Sequence, residues 1–111
     1  TENRNMPLGI GKTSLDLLTR EICIASYRSR LRNKEFTLLQ LFMMNPGKVF
    51  TRTDILELVW DRFAILATNT VDVHVSRIRK KLKRLGSDLR IRTIPCVGYI
   101  LYSLSSKKLK L

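Results

Sequence analysis

The sequence predicts one α+β domain in which short strands precede three helices and a C-terminal β-hairpin. Three observations support this order. The chain has 111 residues, of which 44% are hydrophobic, and this suits a single compact core. Apolar and β-branched residues form short runs up to residue 32 and then recur at helical spacing as far as residue 83. Beyond Gly86, the segments Arg90–Ile94 and Val97–Leu104 have the composition of strands, and Pro95 and Cys96 lie between them, as expected for a hairpin.

The N-terminal region is expected to form a small antiparallel sheet from the segments Thr13–Leu17, Glu21–Ala25 and Arg30–Arg32. The first seven residues lack an apolar pattern, which suggests that the domain is part of a longer protein. The predicted organisation is a linker or tail at 1–7, the domain at 8–104 and a basic tail at 105–111.

The first two predicted helices have recognisable start and stop signals. Asn33 is a candidate N-cap of the first helix, which Pro46 and Gly47 would end. Thr51 can cap the second helix, forming a capping box with Asp54. The positions expected to be buried are Phe36, Leu39, Phe42 and Met43 in the first helix and Ile55, Leu58 and Val59 in the second, which ends at Trp60.

The third predicted helix, at about residues 70–83, begins at Asn69 or Thr70 and has two distinct faces. Its apolar face consists of Val71, Val75, Ile78 and Leu82. The opposite face contains Asn69, Val73, Ser76, Arg77 and Lys80, with His74 and Lys81 on one side and Asp72 and Arg79 on the other. Two helices joined by a loop, with a β-hairpin behind them, form a winged helix-turn-helix.

Positive charge is concentrated in the C-terminal third of the chain. The 21 Lys and Arg against 9 Asp and Glu give a net charge of +12, of which residues 74–111 contribute +10. Such an excess attracts polyanions, either nucleic acid or an anionic membrane. The longest uncharged run, Thr93–Ser106, is too short to cross a bilayer as a helix, so we expect no membrane partner.

The basic face of the third helix predicts insertion into the major groove of duplex DNA. There, arginine bonds the edges of guanine, while neighbouring cations bind phosphates. The alternative is a basic face that is merely solvated. The positive charge downstream and the strand pair after the helix favour DNA binding.

Four segments occur in order along the chain: LRNKEFTLLQLF, NPGKVFTRTDILELVW, TVDVHVSRIRKKL and TIPCVGYIL. They resemble the successive signatures of the OmpR/PhoB family, the C-terminal effector domains of bacterial two-component response regulators. The resemblance covers roughly residues 8–103. It implies a four-stranded N-terminal sheet, a three-helix bundle and a hairpin wing. It also implies binding to direct repeats as a head-to-tail homodimer. From the free cysteines we expect a cytoplasmic protein, and we expect no cofactor.

The resemblance also implies roles for individual residues. Arg77 matches the main base-reading arginine of the family. Positions that usually touch the phosphate backbone are matched by His74, Arg79, Trp60 and Thr93. Asn69 and Ser76 stand where relatives often carry arginine. The predicted DNA-binding residues are Arg77, Lys80, His74, Arg79, Ser76, Val73, Lys81, Asn69, Thr70, Trp60, Thr93 and Tyr99.

The predicted wing departs from the family pattern T-V-R-G-x-G-Y. Here the run is TIPCVGY, so Pro95 replaces the arginine that enters the minor groove in relatives, and Cys96 replaces the first glycine. Proline carries no charge and no backbone donor, so we expect weak minor-groove readout at this position.

The loop Asp61–Asn69 has five consecutive apolar residues at its centre. In the family this loop often meets RNA polymerase, and an exposed apolar patch usually marks an interface. Phe63, Ile65 and Leu66 are therefore predicted to contact protein. The alternative is that they pack on the helices of the domain itself.

We expect neither an enzyme nor a metal site. One histidine and two distant cysteines cannot supply the ligands of a zinc site, and no catalytic arrangement of side chains is evident. Cys23 and Cys96 fit free thiols, although the sequence leaves a disulfide open. The alternatives are a winged-helix domain fused to another sensor, a basic RNA-binding domain or a protein-interaction module.

Overall fold

The computed structural model of the protein describes residues 8–60 and 69–104. The elements in chain order are β1 (Leu8–Ile10), β2 (Thr13–Asp16), β3 (Glu21–Ile24), β4 (Tyr27–Arg30), α1 (Asn33–Met44), β5 (Val49–Thr51), α2 (Arg52–Val59), α3 (Thr70–Arg84), β6 (Leu89–Ile94) and β7 (Gly98–Ser103). The α+β winged-helix architecture predicted from the sequence is confirmed. The predicted tails at 1–7 and 105–111 lie outside the described residues, so the domain limits stay a prediction.

The N-terminal sheet is antiparallel in the order β1-β2-β3-β4, with the four strands that the resemblance implied. Its last strand differs from the expected Arg30–Arg32 segment. A tight turn, in which Ala25 adopts a φ of 54°, pairs Ile24 with Tyr27, so β4 starts there and ends at Arg30. Leu31 then follows the strand and is buried, so its apolar character reflects the core and not a strand.

The second sheet has the order β5-β7-β6 and contains the predicted hairpin. Strand β5, which was not expected from the sequence, has only three residues and pairs Phe50 with Tyr99. The pairing depends on Gly98, because a Cβ there would lie 2.0 Å from the carbonyl oxygen of Phe50. The wing is therefore joined to the helical part of the domain through β5.

The core lies between the two sheets and the three helices. The four positions predicted on α1 are all buried, and the rings of Phe42 and Phe50 meet edge to face at 5.7 Å. On α2, Ile55 and Val59 are buried as predicted, but the prediction for Leu58 is wrong, since it is 60% exposed. Leu58 is one residue, or about 100°, away from Val59 on this short helix, which places it off the buried stripe.

The N-cap predicted for α2 is confirmed, whereas the N-cap predicted for α1 is wrong. The capping box of α2 is confirmed, with 3.0 Å from the Asp54 nitrogen to the Thr51 hydroxyl and 3.1 Å for the reciprocal bond. Asn33 is not the N-cap of α1. Arg32 occupies that position, and the side chain of Asn33 accepts a hydrogen bond from Arg20 at 3.0 Å. A tertiary partner has therefore taken the oxygen that a cap would use.

Candidate DNA-binding surface

Helix α3 presents one buried and one exposed face, as the spacing predicted. Its four apolar residues are each at most 2% exposed and fix the helix against the core. On the far side Asn69, Ser76, Arg77 and Lys80 are exposed, while Val73 is half-buried. The helix runs to Arg84, slightly further than expected, and the basic residues in its last turn suit the negative end of the helix dipole.

Arg77 and Lys80 keep their charges available at the surface. Neither side chain makes a hydrogen bond or ion pair with another residue in the described part of the chain. An arginine in this state offers its full set of donors to a ligand, without first breaking an internal contact. The structure thus brings together an exposed arginine, an exposed lysine and the hydroxyl of Ser76 on one helical face.

Arg79, on the side of α3 nearest the wing, is engaged with β6. Its Nε donates to the carbonyl of Ile91 at 2.9 Å, and one terminal nitrogen donates to the hydroxyl of Thr93 at 2.6 Å. Its guanidinium also lies 5.5 Å from the centre of the Tyr99 ring. Arg79 and Thr93 therefore connect α3 to the wing.

Tyr99 is placed differently from what its prediction as a DNA contact implies. It is 3% exposed, and its hydroxyl donates a short hydrogen bond to Asp72. Arg52 donates to the same carboxylate at 2.9 Å and to the Tyr99 hydroxyl at 3.3 Å. Because its ring is buried and its hydroxyl is bonded to Asp72, Tyr99 connects the wing to α2 and α3, and its predicted contact with DNA stays a prediction.

This Arg52–Asp72–Tyr99 network joins α2, α3 and β7. The pKa values of Asp72 and Tyr99 shift in the directions expected from their hydrogen bond. The Tyr99 hydroxyl, aided by Arg52, lowers the pKa of Asp72 despite partial burial. Burial, together with the bond to Asp72, raises the pKa of Tyr99. Sequence reasoning missed Arg52 and gave Asp72 no partner, because residues 20 positions apart carry no local signal of their pairing.

His74 and Trp60 pack against each other at the entry to α3. Their rings meet edge to face at 4.9 Å, and Nδ1 of His74 lies 2.9 Å from the carbonyl oxygen of Thr70. Since a carbonyl only accepts, Nδ1 is the donor in this contact. Trp60 is half-buried, and it ends α2 as the sequence predicted.

Lys81 is half-buried and its ammonium group donates to the carbonyl of Arg30 at 3.1 Å, which links α3 to the N-terminal sheet. The predicted DNA-binding residues therefore differ in their surroundings. Asn69, Ser76, Arg77 and Lys80 are exposed, and Thr70 and Val73 are half-buried. Internal contacts are made by Trp60, His74, Arg79, Lys81, Thr93 and Tyr99. The roles assigned to individual residues at the DNA stay predictions.

The turn of the wing explains why relatives carry a glycine where this chain has Cys96. Cys96 has a φ of 63°, in the left-handed region that glycine adopts without strain, and the turn is closed by a hydrogen bond from Val97 to Ile94. Pro95, Cys96 and Val97 are all exposed at the tip. The wing is thus complete as a hairpin but has no cation at its tip.

Among residues 8–60 and 69–104, no group of three or more His, Cys, Asp or Glu side chains could hold a metal ion, and both cysteines are free. Within the same ranges, no helix combines the length and apolar character needed to cross a membrane. The predicted protein-contact residues Phe63, Ile65 and Leu66 lie outside the described residues.

Comparison with known proteins gives consistent matches. Residues 27–101 match the family described as "Transcriptional regulatory protein, C terminal". The chain is 39% identical over 97 residues to the heme response regulator HssR of Staphylococcus epidermidis, an alignment that covers 87% of this chain and 43% of that protein. The chain thus spans less than half the length of this relative.

Two solved structures show the same fold. The DNA-binding domain of the response regulator AdeR, in complex with an intercistronic region, is 28% identical with a TM-score of 0.74, covering 86% of this chain and 97% of that one. The response regulator DrrB, a Thermotoga maritima OmpR/PhoB homologue, is 31% identical with a TM-score of 0.74, covering 87% and 44%. With its family match, its fold and its ordered motifs in agreement, the chain belongs to the C-terminal domains of transcriptional regulatory proteins, of the OmpR/PhoB type.

Proposed function

We propose that this chain is the DNA-binding effector domain of a response regulator, and that it recognises a specific duplex sequence by inserting α3 into the major groove. The observation that carries the proposal is the exposed face of α3, where Arg77 and Lys80 stand without an internal partner among the described residues, opposite a fully buried stripe. Family membership and the DNA complex of the AdeR domain support it.

In this proposal the residues of the surface have different roles. Arg77 bonds the edge of a base, since a bidentate arginine contact is the commonest specific contact in the major groove. Lys80 binds phosphate, while Asn69, Thr70, Val73 and Ser76 line the groove. Trp60, His74, Arg79, Lys81 and Thr93 act at or beside the phosphate backbone, with Arg79, Lys81 and Thr93 also holding α3 in place.

The partners of the whole protein are part of the same proposal. Two copies bind head to tail on repeated sites, and the loop at 61–69 contacts RNA polymerase through its apolar residues. Such a regulator acts in the cytoplasm, where a bacterial chromosome lies, and its chemistry is binding rather than catalysis.

Selection of bound duplexes from a random pool, followed by measurement of the Arg77→Ala variant, tests the proposal. Arg77→Ala should cost about 1–3 kcal/mol on the selected site and flatten the preference for that site over a mutated one. The matched control is Lys80→Ala, which should weaken binding to all duplexes alike. Unchanged discrimination in Arg77→Ala would show that α3 does not read the sequence, and preferential binding to RNA would favour an RNA-binding domain.

A further inference from the structure

A basic cleft of about 270 Å³ lies between the start of α1 and the C-terminal half of α3. It is lined by five cations and one carboxylate, namely Arg32, Arg77, Lys80, Lys81, Arg84 and Glu35. These side chains carry a net charge of +4. Arg32 and Arg84 were not among the residues predicted to bind DNA.

The cations of the cleft are largely unneutralised. In the described part of the chain, only Lys81 uses its side chain in a hydrogen bond, to the carbonyl of Arg30. The side chains of Arg32 and Arg84, like those of Arg77 and Lys80, make no hydrogen bond or ion pair with another described residue. Like charges around one cavity repel each other, so a bound anion would lower the energy of the cleft.

Glu35 is the one carboxylate among the residues that line the cleft. It is 4% exposed and, within the described residues, its carboxylate makes no hydrogen bond or ion pair. Its charge reduces the positive charge of the cleft but does not cancel it, so the net charge of +4 still attracts anions. Charge therefore does not distinguish a phosphodiester from a free phosphate, and the position of the cleft decides between them.

The position of the cleft relative to α3 points to a backbone phosphate of DNA. Arg77 and Lys80 belong to the face that we assign to the major groove, and Arg84 lies on the same face about 10 Å beyond Arg77 along the helix axis. Arg32 is the N-cap of α1, whose first turn adds the positive end of a 12-residue helix. The cleft thus extends the basic surface sideways, on the flank of α3 that does not carry the wing.

We propose that Arg32 and Arg84 bind a phosphodiester of the DNA backbone at the edge of the major groove, on the side away from the wing. The inference rests on the proposed function and adds a contact between α1 and DNA.

The salt dependence of duplex binding tests this site with Arg32→Gln, Arg84→Gln and the double variant. Each single substitution should weaken binding severalfold on specific and scrambled duplexes alike, and should reduce the salt slope by about 0.9 for each phosphate that the variant no longer neutralises. Lys12→Gln is the control, since it removes one exposed cation from the β1–β2 turn, outside the cleft. We expect its salt slope to stay near that of the wild type.

Duplexes with a single neutral methylphosphonate identify the phosphate. One modified position at the flank should weaken binding of the wild type but not of the double variant. If the double variant keeps the wild-type slope while Arg77→Ala loses sequence preference, the cleft contact is refuted and the proposed function stands. Failure of the wild type itself to bind any duplex would instead refute the proposed function.

A second experiment tests whether the cleft binds free phosphate as well as the phosphates of the DNA backbone. Inorganic phosphate is titrated into the DNA-free domain at constant ionic strength while the side-chain nuclear magnetic resonances of the arginines are followed. We expect no saturable change at Arg32 or Arg84. Saturation at millimolar phosphate would overturn the assignment to a phosphodiester.

Discussion

The cations on the wing side of α3 and those on its exposed face are similar in type but differ in their partners. On the wing flank, the guanidinium of Arg79 is bonded to β6, and Arg52 is bonded to Asp72 and Tyr99. On the exposed face and towards α1, Arg77, Lys80 and Arg84 make no such bonds with other described residues, although Lys81 donates to the carbonyl of Arg30. A cationic side chain that is hydrogen-bonded within the protein holds neighbouring elements in place, whereas one without such a bond is available to bind an anion. We therefore expect the side of α3 nearest the wing to orient the helix and the side with unbonded cations to meet the DNA.

The largest expected effect on the orienting flank comes from Tyr99→Phe. It removes the bond between the buried hydroxyl and the Asp72 carboxylate and keeps the ring, so the free energy of unfolding should fall by about 1.5 kcal/mol. Urea denaturation at neutral pH measures the decrease. Tyr27→Phe, at a tyrosine that is 66% exposed, is the matched control and should change little. Equal stability of the two variants would mean that the network does not hold the wing.

The difference in the free energy of unfolding between the wild type and Tyr99→Phe should depend on pH, and it should be larger at neutral than at acidic pH. The folded pKa of Asp72 is lowered from its ordinary value of 3.8, chiefly by the Tyr99 hydroxyl. Its stabilising contribution is therefore present above about pH 3.8 and is lost as the pH falls through the lower, folded value. The stability difference between wild type and Tyr99→Phe should shrink below that pH. Asp16 and Glu21, whose pKa values are also lowered, are shared by both proteins and cancel in the difference.

Arg79→Gln separates orientation from phosphate contact. If Arg79 mainly holds β6, the variant should lose about 1 kcal/mol of stability, through the bonds to Ile91 and Thr93, while its salt slope changes less than that of Lys80→Gln. Thermal denaturation and duplex binding over a range of salt provide both quantities. A slope reduced as much as in Lys80→Gln, with stability unchanged, would make Arg79 a phosphate ligand, as the resemblance implied.

Pro95→Arg would give the wing tip the cation that it lacks. We expect binding to tighten by about 1 kcal/mol, most at sites whose flanking minor groove is narrow and rich in A·T pairs. Pro95→Gln is the control, because it removes the proline without adding charge. If both variants bind alike on such flanks, the wing tip does not enter the minor groove.

The smallest expected effect is that of Cys96→Gly on stability. The left-handed conformation at φ 63° costs a residue with a Cβ about 1–2 kcal/mol. Glycine avoids this cost, but it loses more conformational entropy on folding, which offsets part of the gain in stability. A net gain of about 0.5 kcal/mol in the free energy of unfolding is expected, with DNA affinity unchanged. Cys96→Ala removes the thiol but keeps the Cβ, and should give no gain. A gain in the alanine variant as well would trace the effect to the thiol.

The differences between sequence expectation and structure arise at particular residues. The stripe of α3 and the capping box of α2 were predictable, because residues three or four apart must meet on a helix. Asn33 was misassigned as a cap because Arg20, from another element, takes its side chain. Strand β5 was missed because its three residues form a strand only through pairing with β7, which lies far along the chain.

By itself, the sequence determined the class of the fold, the two faces of α3 and the excess of positive charge, all of which depend on composition or on neighbours within a few residues. Only the tertiary structure decided which cations are free. Arg77 and Arg79 are alike in the sequence and two residues apart, yet Arg79 meets acceptors on β6 and Arg77 meets none among the described residues. The cleft with Glu35 arises in the same way, because it exists only where α1 and α3 pack together. Local periodicity sets the face on which a side chain lies, and long-range packing sets the partner it finds there.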